Sequence, residues 1–410
     1  MRLKILILGD GNVPSLYKNY RADPLAKYLS KMGHKVTVLC PKPRITDKNY
    51  SKQFKDVKFD YVSSYKNIKV PTDLVHRLRQ LTTLKIKLNH LLNTEKFDLI
   101  RAISLIPGYI AAIARKKHHI HTITNVSDFY SDLYKHSDLP FQLISSTILR
   151  KMEEVVVKNS DIFIVDSPIQ RKYWKERGLN EKRGIVIPHG IYPDRFNSNA
   201  NQQIVRKKYG IKDTTKIIYY HGDISHQDGV DILIDSVPYI IQNEDNVRFM
   251  IVGTGTEKYM TKLRRKIEEY KVQKFFIFTG WIPHFFIPQY IATANLCVAP
   301  FRLALTANTS LSNKIIEYLA MRKPVIASRG EGTKEMIGDT VVYVDPENPQ
   351  NLADAIIKTL NHEYIKNIQQ IETIISRLNW VKIINREEEI ISNLKNIKDG
   401  DFRKYDYFLR

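Results

Sequence analysis

Two cysteines among 410 residues, Cys40 and Cys297, leave nothing from which to build a disulfide framework. Both sit inside apolar runs that read as core strands far apart in sequence, and no Cys/His cluster has metal-site spacing. Long apolar runs are missing too. Met1-Arg-Leu-Lys-Ile-Leu-Ile-Leu-Gly9 is too short for a signal peptide, and no stretch approaches the roughly 20 residues needed to span a bilayer. Cytoplasmic residence is therefore expected, at most peripheral on the inner face of the cell membrane. No G-x-x-x-x-G-K-[ST] occurs, which disfavours a P-loop ATPase or kinase. The only D-x-D, Asp399-Gly-Asp401, lies in a polar tail away from any strand end, so a metal-held diphosphate is disfavoured. Acidic residues are short in number: 43 against 64 Lys and Arg, for a net charge of +21. Residues 1–200 hold 35 Lys and Arg against 18 Asp and Glu, and the remainder 29 against 25, so the first half carries most of the excess. Such a half attracts nucleic acid, an anionic membrane surface or an acidic substrate, and charge alone does not choose between them. No nucleic-acid motif supports the first.

What is present is a regular alternation. Short apolar, β-branched runs at 3–8, 36–40, 99–103, 120–126, 162–165 and 185–188 are separated by helix-like segments. A second series follows at 217–220, 247–252, 275–278, 296–299, 325–328 and 341–344. Strand and helix alternating in this way predict parallel sheets, and two series predict two doubly wound domains with ligand bound outside the strands' carboxyl ends. The polar 197–203 segment suggests the join: domains of 1–197 and 198–379, with a C-terminal helical stretch of about 380–410, including Trp380, packing back onto the first. Within the first domain, 75–92 places Leu78, Leu81, Leu84, Leu88, Leu91 and Leu92 on one helical stripe with no acidic residue. Arg79 and Lys87 lie off the stripe and Lys85 at its margin, which suits an in-plane helix on anionic lipid; Arg77 falls within the stripe, which speaks against it, and a basic helix with its leucines in the core has the same pattern. Lys48, Lys52, Lys55, Lys58, Lys66 and Lys69 add positive charge upstream.

The most informative segment is Thr309-Ser-Leu-Ser-Asn-Lys-Ile-Ile-Glu-Tyr-Leu-Ala-Met-Arg-Lys-Pro-Val-Ile-Ala-Ser328. Ser310 or Ser312 is placed to cap a helix whose free amides and positive dipole end suit a diphosphate. At 100° per residue Glu317 shares a face with Ser310, Asn313 and Lys314, while Ile316, Leu319 and Ala320 turn toward the core. An ordinary amphipathic surface helix is the plain alternative. Glycine also follows several strands: Gly9-Asp-Gly11, Gly222, Gly253-Thr-Gly255 and Gly280-Trp281. Each alone reads as a turn, and three in the second sheet suggest a ligand crossing the strand tips. Pro14 stands where a dinucleotide fingerprint needs its third glycine, and Leu39-Cys40-Pro41-Lys42 has no ribose-binding acid, so a dehydrogenase is disfavoured.

The run from Ser312 through Glu317 to Pro324 and Ser328 resembles the nucleotide-sugar site of retaining glycosyltransferases of the GT-B fold, family 4 (glycosyl transferases group 1). Pro188-His-Gly190-Ile-Tyr-Pro-Asp-Arg-Phe196, Gly229-Val-Asp-Ile-Leu, Ile251-Val-Gly-Thr-Gly255 and Phe278-Thr-Gly280-Trp resemble further motifs of that family in the same order. The resemblance implies two Rossmann-like domains facing across a cleft, and sugar transfer with retention and without a metal ion or other cofactor. Glu317 would then bind ribose hydroxyls and the amides around Leu311, Ser312 and Asn313 the diphosphate, with Gly222, Gly253, Gly280, Trp281, Thr309 and Lys314 completing the donor site. On the acceptor side it implies Asp128, which with Glu317 would form the catalytic pair; the Gly9–Gly11 turn would face the acceptor or be only a tight strand-to-helix connection. Asp128 is equally placed to cap a helix.

Departures from the family are specific. Its phosphate-gripping arginine and lysine fall on Asp223 and Asp228, the first of its two glutamates on Thr309, and its acceptor-side histidine on Ser127. Lys314 is the first substitute cation, followed by Lys334 and His221. The expected activity is transfer of a sugar to a glycan or lipid-linked acceptor of the cell envelope, at the cytoplasmic membrane surface. A non-catalytic nucleotide-sugar or glycan-binding protein, or a nucleotide-sugar epimerase, is the alternative.

Overall fold

The structure, a computed structural model, describes residues 2–11, 13, 21–43, 48–63, 74–135, 141–197, 200–361, 367–394 and 400–407, without the side chains of 48–49 and 74–78. Pro14, Lys66, Lys69, Asp399, the side chains of Lys48 and Leu78, and part of the 197–203 segment lie outside these residues. Two compact units form: Met1–Gly190 with Trp380–Arg410, and Ile191–Asn379. Residues 191–197 sit with the second unit because Ile191 bridges Asn379 and donates its amide to the Leu378 carbonyl at 2.8 Å.

The first unit holds seven strands: β1 (Lys4–Gly9), β2 (Lys35–Pro41), β3 (Val57–Val62), β4 (Leu99–Ile103), β5 (His121–Asn125), β6 (Ile162–Val165) and β7 (Gly184–Val186). All pair in parallel, in the order β3-β2-β1-β4-β5-β6-β7. The chain winds outward from β1 to β3, then from β4 to β7, so the β1/β4 boundary is a switch point whose carboxyl edge is open to ligand. Right-handed crossovers place helices Leu74–Thr94, Leu105–His118 and Gln142–Asn159 on one face, opposite helix Ala22–Lys31.

The C-terminal helix Trp380–Asn393 packs on helix Ala22–Lys31, and buried charge explains how. Arg101 lies inside the central strand β4 and is fully buried. Its Nε donates to Glu387 Oε2 at 2.9 Å, Arg21 donates to Glu387 Oε1 at 2.9 Å, and Arg21 approaches Asp166 at 3.4 Å. An unpaired guanidinium in a sheet core would be strongly unfavourable, so the helix that brings Glu387 is needed to complete the first unit.

The second unit holds β8 (Lys216–His221), β9 (Val247–Val252), β10 (Phe276–Gly280), β11 (Leu296–Ala299), β12 (Val325–Ser328) and β13 (Val342–Val344). They form one parallel sheet in the order β10-β9-β8-β11-β12-β13, with its own switch point between β8 and β11. Its core joins Ile218, Phe249, Ile251 and Val298 of the sheet to Leu233 and Val237 of the covering helix Val230–Ile241.

Candidate functional site

At the carboxyl edge of the second sheet, three glycines stand in a row because their strands are neighbours. The Gly222 amide donates to the Val252 carbonyl and the Gly253 amide to the Gly280 carbonyl, each at 3.0 Å. Gly222 has φ +136° and packs so closely beneath Lys314 that a Cβ would overlap its Cε. Gly253, at φ +146°, presses on the Gly222 carbonyl oxygen in the same way. Both positions combine a left-handed backbone with close approach, which only glycine meets without strain. Trp281 follows Gly280 and is half-exposed, with Phe285 and Phe286 exposed beyond it.

Helix Asn313–Ala320 begins beside this row. Ser312 occupies its N-cap position in extended conformation but makes no side-chain capping bond, contrary to the expected cap; Ser310 lies at the end of the preceding short helix Leu305–Thr309. The first amides of the helix, at Asn313 and Lys314, therefore keep their donors for another acceptor. Leu311 is buried and Asn313 half-buried at this start.

Glu317 is only 3% exposed and stands between two histidines. Its Oε1 accepts a hydrogen bond from His284 Nε2 at 2.8 Å, while Oε2 lies 2.9 Å from His221 Nε2 outside hydrogen-bonding alignment. Burial alone would raise the Glu317 carboxyl, but the His284 and His221 imidazoles hold it well below the usual carboxylate range, so it is ionised. Burial pushes the His221 imidazole down against the pull of Glu317. The result is a buried carboxylate with one oxygen lacking an aligned donor, and two imidazoles whose Nδ1 atoms are also unpartnered. Unsatisfied buried groups of this kind are uncommon and call for an occupant or a function.

Lys314 reaches back over the sheet edge. Its Nζ pairs with Asp228 Oδ1 at 2.6 Å and lies 4.6 Å from the Phe301 ring centroid. Ser225 donates to the other Asp228 oxygen at 2.6 Å, so this acid is neutralised locally, and Asp223 is exposed to solvent. The two aspartates that replace the family's cations thus do not stand as bare charges facing the helix start. Thr309, expected in the donor site, is fully buried and turns its hydroxyl back to the Leu305 carbonyl at 2.8 Å. Lys334 pairs with Asp339. Among the described residues no group of three or more His, Cys, Asp and Glu is arranged to hold a metal ion.

In the first unit, Gly9 ends β1, Gly11 and Asp128 follow β1 and β5, and the turn after β4 lies between them. That middle turn carries Ser104 at φ +82°, a strained conformation for serine, with its hydroxyl 2.8 Å from that of Tyr130. Ser104 and His284 were not signalled in the sequence: neither lies in a recognisable motif, and their contacts, Ser104 with Tyr130 and His284 with Glu317, form only in the fold. Leu84, Leu88 and Leu91 of helix Leu74–Thr94 are buried in the core, while Arg79, Lys85 and Ile86 face outward. The leucine stripe accordingly serves the first unit's own packing. No helix among the described residues is long and apolar enough to cross a membrane.

Comparison with known proteins agrees with this geometry. Residues 21–195 match the Glycosyltransferase Family 4 model and residues 215–362 the Glycosyl transferases group 1 model. The chain is 26% identical over 357 residues to the putative teichuronic acid biosynthesis glycosyltransferase TuaC of Bacillus subtilis, covering 82% of this chain and 83% of that protein. It is 28% identical over 234 residues to alpha-D-kanosaminyltransferase of Streptomyces kanamyceticus, covering 56% of this chain and 58% of that one. Among solved structures, Anabaena Alr3699/HepE in complex with UDP-glucose superposes with a TM-score of 0.73 at 20% identity, covering 96% of this chain and all of that one. Sucrose-phosphate synthase from Thermosynechococcus elongatus gives 0.77 at 17% identity, with the same coverage. These structural likenesses establish the fold, and the two family models together take in most of both units. The chain belongs to the glycosyltransferases of the GT-B fold.

Proposed function

We propose that this glycosyltransferase takes a sugar from a nucleotide-sugar held by the second unit and transfers it, with retention of anomeric configuration, to a glycan or lipid-linked acceptor at a membrane surface. The observation that carries the donor reading is Glu317: a buried, ionised carboxylate beside a row of strand-end glycines, with Oε2 lacking an aligned donor. Ribose hydroxyls are donors of the right kind for that oxygen. The open amides of Asn313 and Lys314, with the Lys314 ammonium, would hold the diphosphate and stabilise charge on its departing oxygen. Gly280 and Trp281 would flank the base. In this reading no metal ion is used, and Asp128 positions the acceptor hydroxyl. UDP-glucose in the similar Anabaena structure and the sugar-transfer names of the curated relatives support the substrate class.

The test is incubation with a panel of nucleotide sugars, with and without EDTA, followed by assay of free nucleoside diphosphate and NMR of the product anomer. Release that persists in EDTA and falls by about a hundredfold or more in Glu317→Ala is expected. Release that stops with EDTA would sink the metal-free reading, and an inverted anomer would sink retention. Nucleotide-sugar binding without turnover for any acceptor would favour a binding module, a reading encouraged by the existing Lys314–Asp228 pair.

A further inference from the structure

The helix Gln142–Asn159 begins with a cluster of strongly exposed large apolar side chains. Phe141 is 76% exposed, Leu143 64% and Ile144 58%, with Ile148 one turn further on the same face. Phe141 also has φ +58°, a left-handed conformation unfavourable for a bulky aromatic, with so much of its ring in solvent that packing offers little compensation. Clustered apolar side chains of this kind mark an interaction surface.

Position says what that surface adjoins. The helix starts at the carboxyl edge of the first sheet, the edge that carries Gly9, Ser104 and Asp128. Ser146 on its second turn donates to the Ser131 carbonyl at 2.7 Å, three residues beyond Asp128. The first turns of this helix therefore lie at the same edge of the sheet as the proposed acceptor turn, with Ser146 facing it and the apolar patch on the outer side.

Charge says what covers it. The three helices of this face, Leu74–Thr94, Leu105–His118 and Gln142–Asn159, together carry ten Lys and Arg against two Glu; of the ten, Lys87 pairs with Asp60 and Arg115 with Asp161 from neighbouring elements. One of those, Glu153, is buried against Arg177 and is not presented outward; the other, Glu154, lies between Arg150 and Lys158. Lys151 is exposed on the same helix, and Arg79, Lys85, Ile86 and Ile113 are exposed on the other two helices of this face. Exposed apolar side chains on a face rich in cations are the pattern that inserts at the headgroup boundary of an anionic leaflet.

We infer that Phe141, Leu143, Ile144 and Ile148 dock the protein on an anionic bilayer, with the cations of this face as their electrostatic rim. The leucine stripe of helix Leu74–Thr94 is turned inward, so that helix contributes Arg79, Lys85 and Ile86 to the rim and not an apolar face. The inference deepens the proposed function: it rests on that reading for a lipid-borne acceptor, which would be presented at the sheet edge that carries Asp128.

Co-sedimentation with phosphatidylcholine vesicles, with and without phosphatidylglycerol, tests it on the full chain. Wild type should pellet with the anionic vesicles, and F141N/L143S/I144S should bind them about tenfold or more weakly. Asn tolerates the left-handed conformation and all three side chains are exposed, so the variant should keep its far-UV circular dichroism and melting temperature. Wild type that stays in the supernatant, or a triple variant that binds like wild type, would overturn the inference. So would a wild-type dimer that the triple variant converts to monomer without vesicle binding, which would assign the patch to a second copy. Nucleotide-sugar turnover without vesicles is read separately: its absence in a wild type that pellets would count against the enzymatic reading and leave the docking surface supported.

Discussion

Lys314 is the residue on which the proposed donor site most depends, because the family's usual cations are aspartates here and Thr309 is turned inward. Its ammonium is held by Asp228 at 2.6 Å, over the Gly222 backbone. Replacing it with alanine removes a charge-assisted contact worth about 1.5–3 kcal/mol and leaves Asp228 facing the diphosphate. Lys314→Ala should therefore weaken binding of the nucleotide-sugar by roughly tenfold to a hundredfold by calorimetry. The double variant K314A/D228N should recover part of that loss, since it removes the repulsion as well. Undiminished affinity in Lys314→Ala would show that the phosphate lies elsewhere. His221 gives a pH test at the same site. Its folded-state pKa is lowered from 6.5, so the unfolded chain takes up a proton below that pH that the folded chain refuses. The stability at stake is present above about pH 6.5 and declines as pH falls through that value. The melting temperature of His221→Asn should fall less between pH 7 and pH 5 than that of wild type; parallel curves would mean that His221 is not held neutral.

At the scale of elements, helix Trp380–Asn393 is tied to the first unit by charges in its core. Glu387 faces Arg21 and Arg101 at 2.9 Å each, and all three side chains are almost fully buried. Removing the carboxylate leaves two guanidinium groups uncompensated, so Glu387→Ala should destabilise the first unit by about 3–5 kcal/mol in urea titration. Trp174 and Trp380 are fully buried in that unit, which makes tryptophan fluorescence a suitable probe. A loss below about 1 kcal/mol would mean that the network adds little beyond the packing of Trp380. This network also shows where the sequence stops being informative. Continuous apolar runs such as Ile162–Val165 and Leu296–Ala299 are legible as buried strands, and Leu99–Ile103 is legible despite Arg101. β3 is not, because Lys58 and Asp60 break its apolar pattern at the sheet edge. The helix at Asn313–Ala320 and Glu317 are legible from spacing, whereas His284 reaches Glu317 only because the loop after β10 folds over it. For the stripe in helix Leu74–Thr94, periodicity defines an apolar face without saying whether protein or lipid covers it.

For the molecule as a whole, the charge belongs largely to one unit. Residues 1–190 and 380–410 contain 41 Lys and Arg against 23 Asp and Glu, an excess of 18, while residues 191–379 contain 23 against 20, an excess of 3. The two units should consequently respond differently to salt. Attraction of the first to an anionic surface acts through exposed charges over several ångströms of solvent, and the screening length shrinks from about 10 Å at 0.1 M to about 3 Å at 1 M. Donor binding as proposed in the second unit would depend on buried Glu317 and on Lys314 close to its ligand, where screening is weaker. Raising NaCl from about 0.1 M to about 1 M should therefore release most of the protein from vesicles containing phosphatidylglycerol, while the affinity for the nucleotide-sugar changes by no more than about threefold. Part of the vesicle binding should survive the salt, because apolar contact by Phe141, Leu143 and Ile144 is not screened. Complete release, with the F141N/L143S/I144S variant behaving as wild type at both salt concentrations, would assign recruitment to charge alone. Donor affinity that fell in step with vesicle binding would mean instead that the nucleotide-sugar is held mainly by exposed cations, and that the helix start beside Glu317 is not its seat.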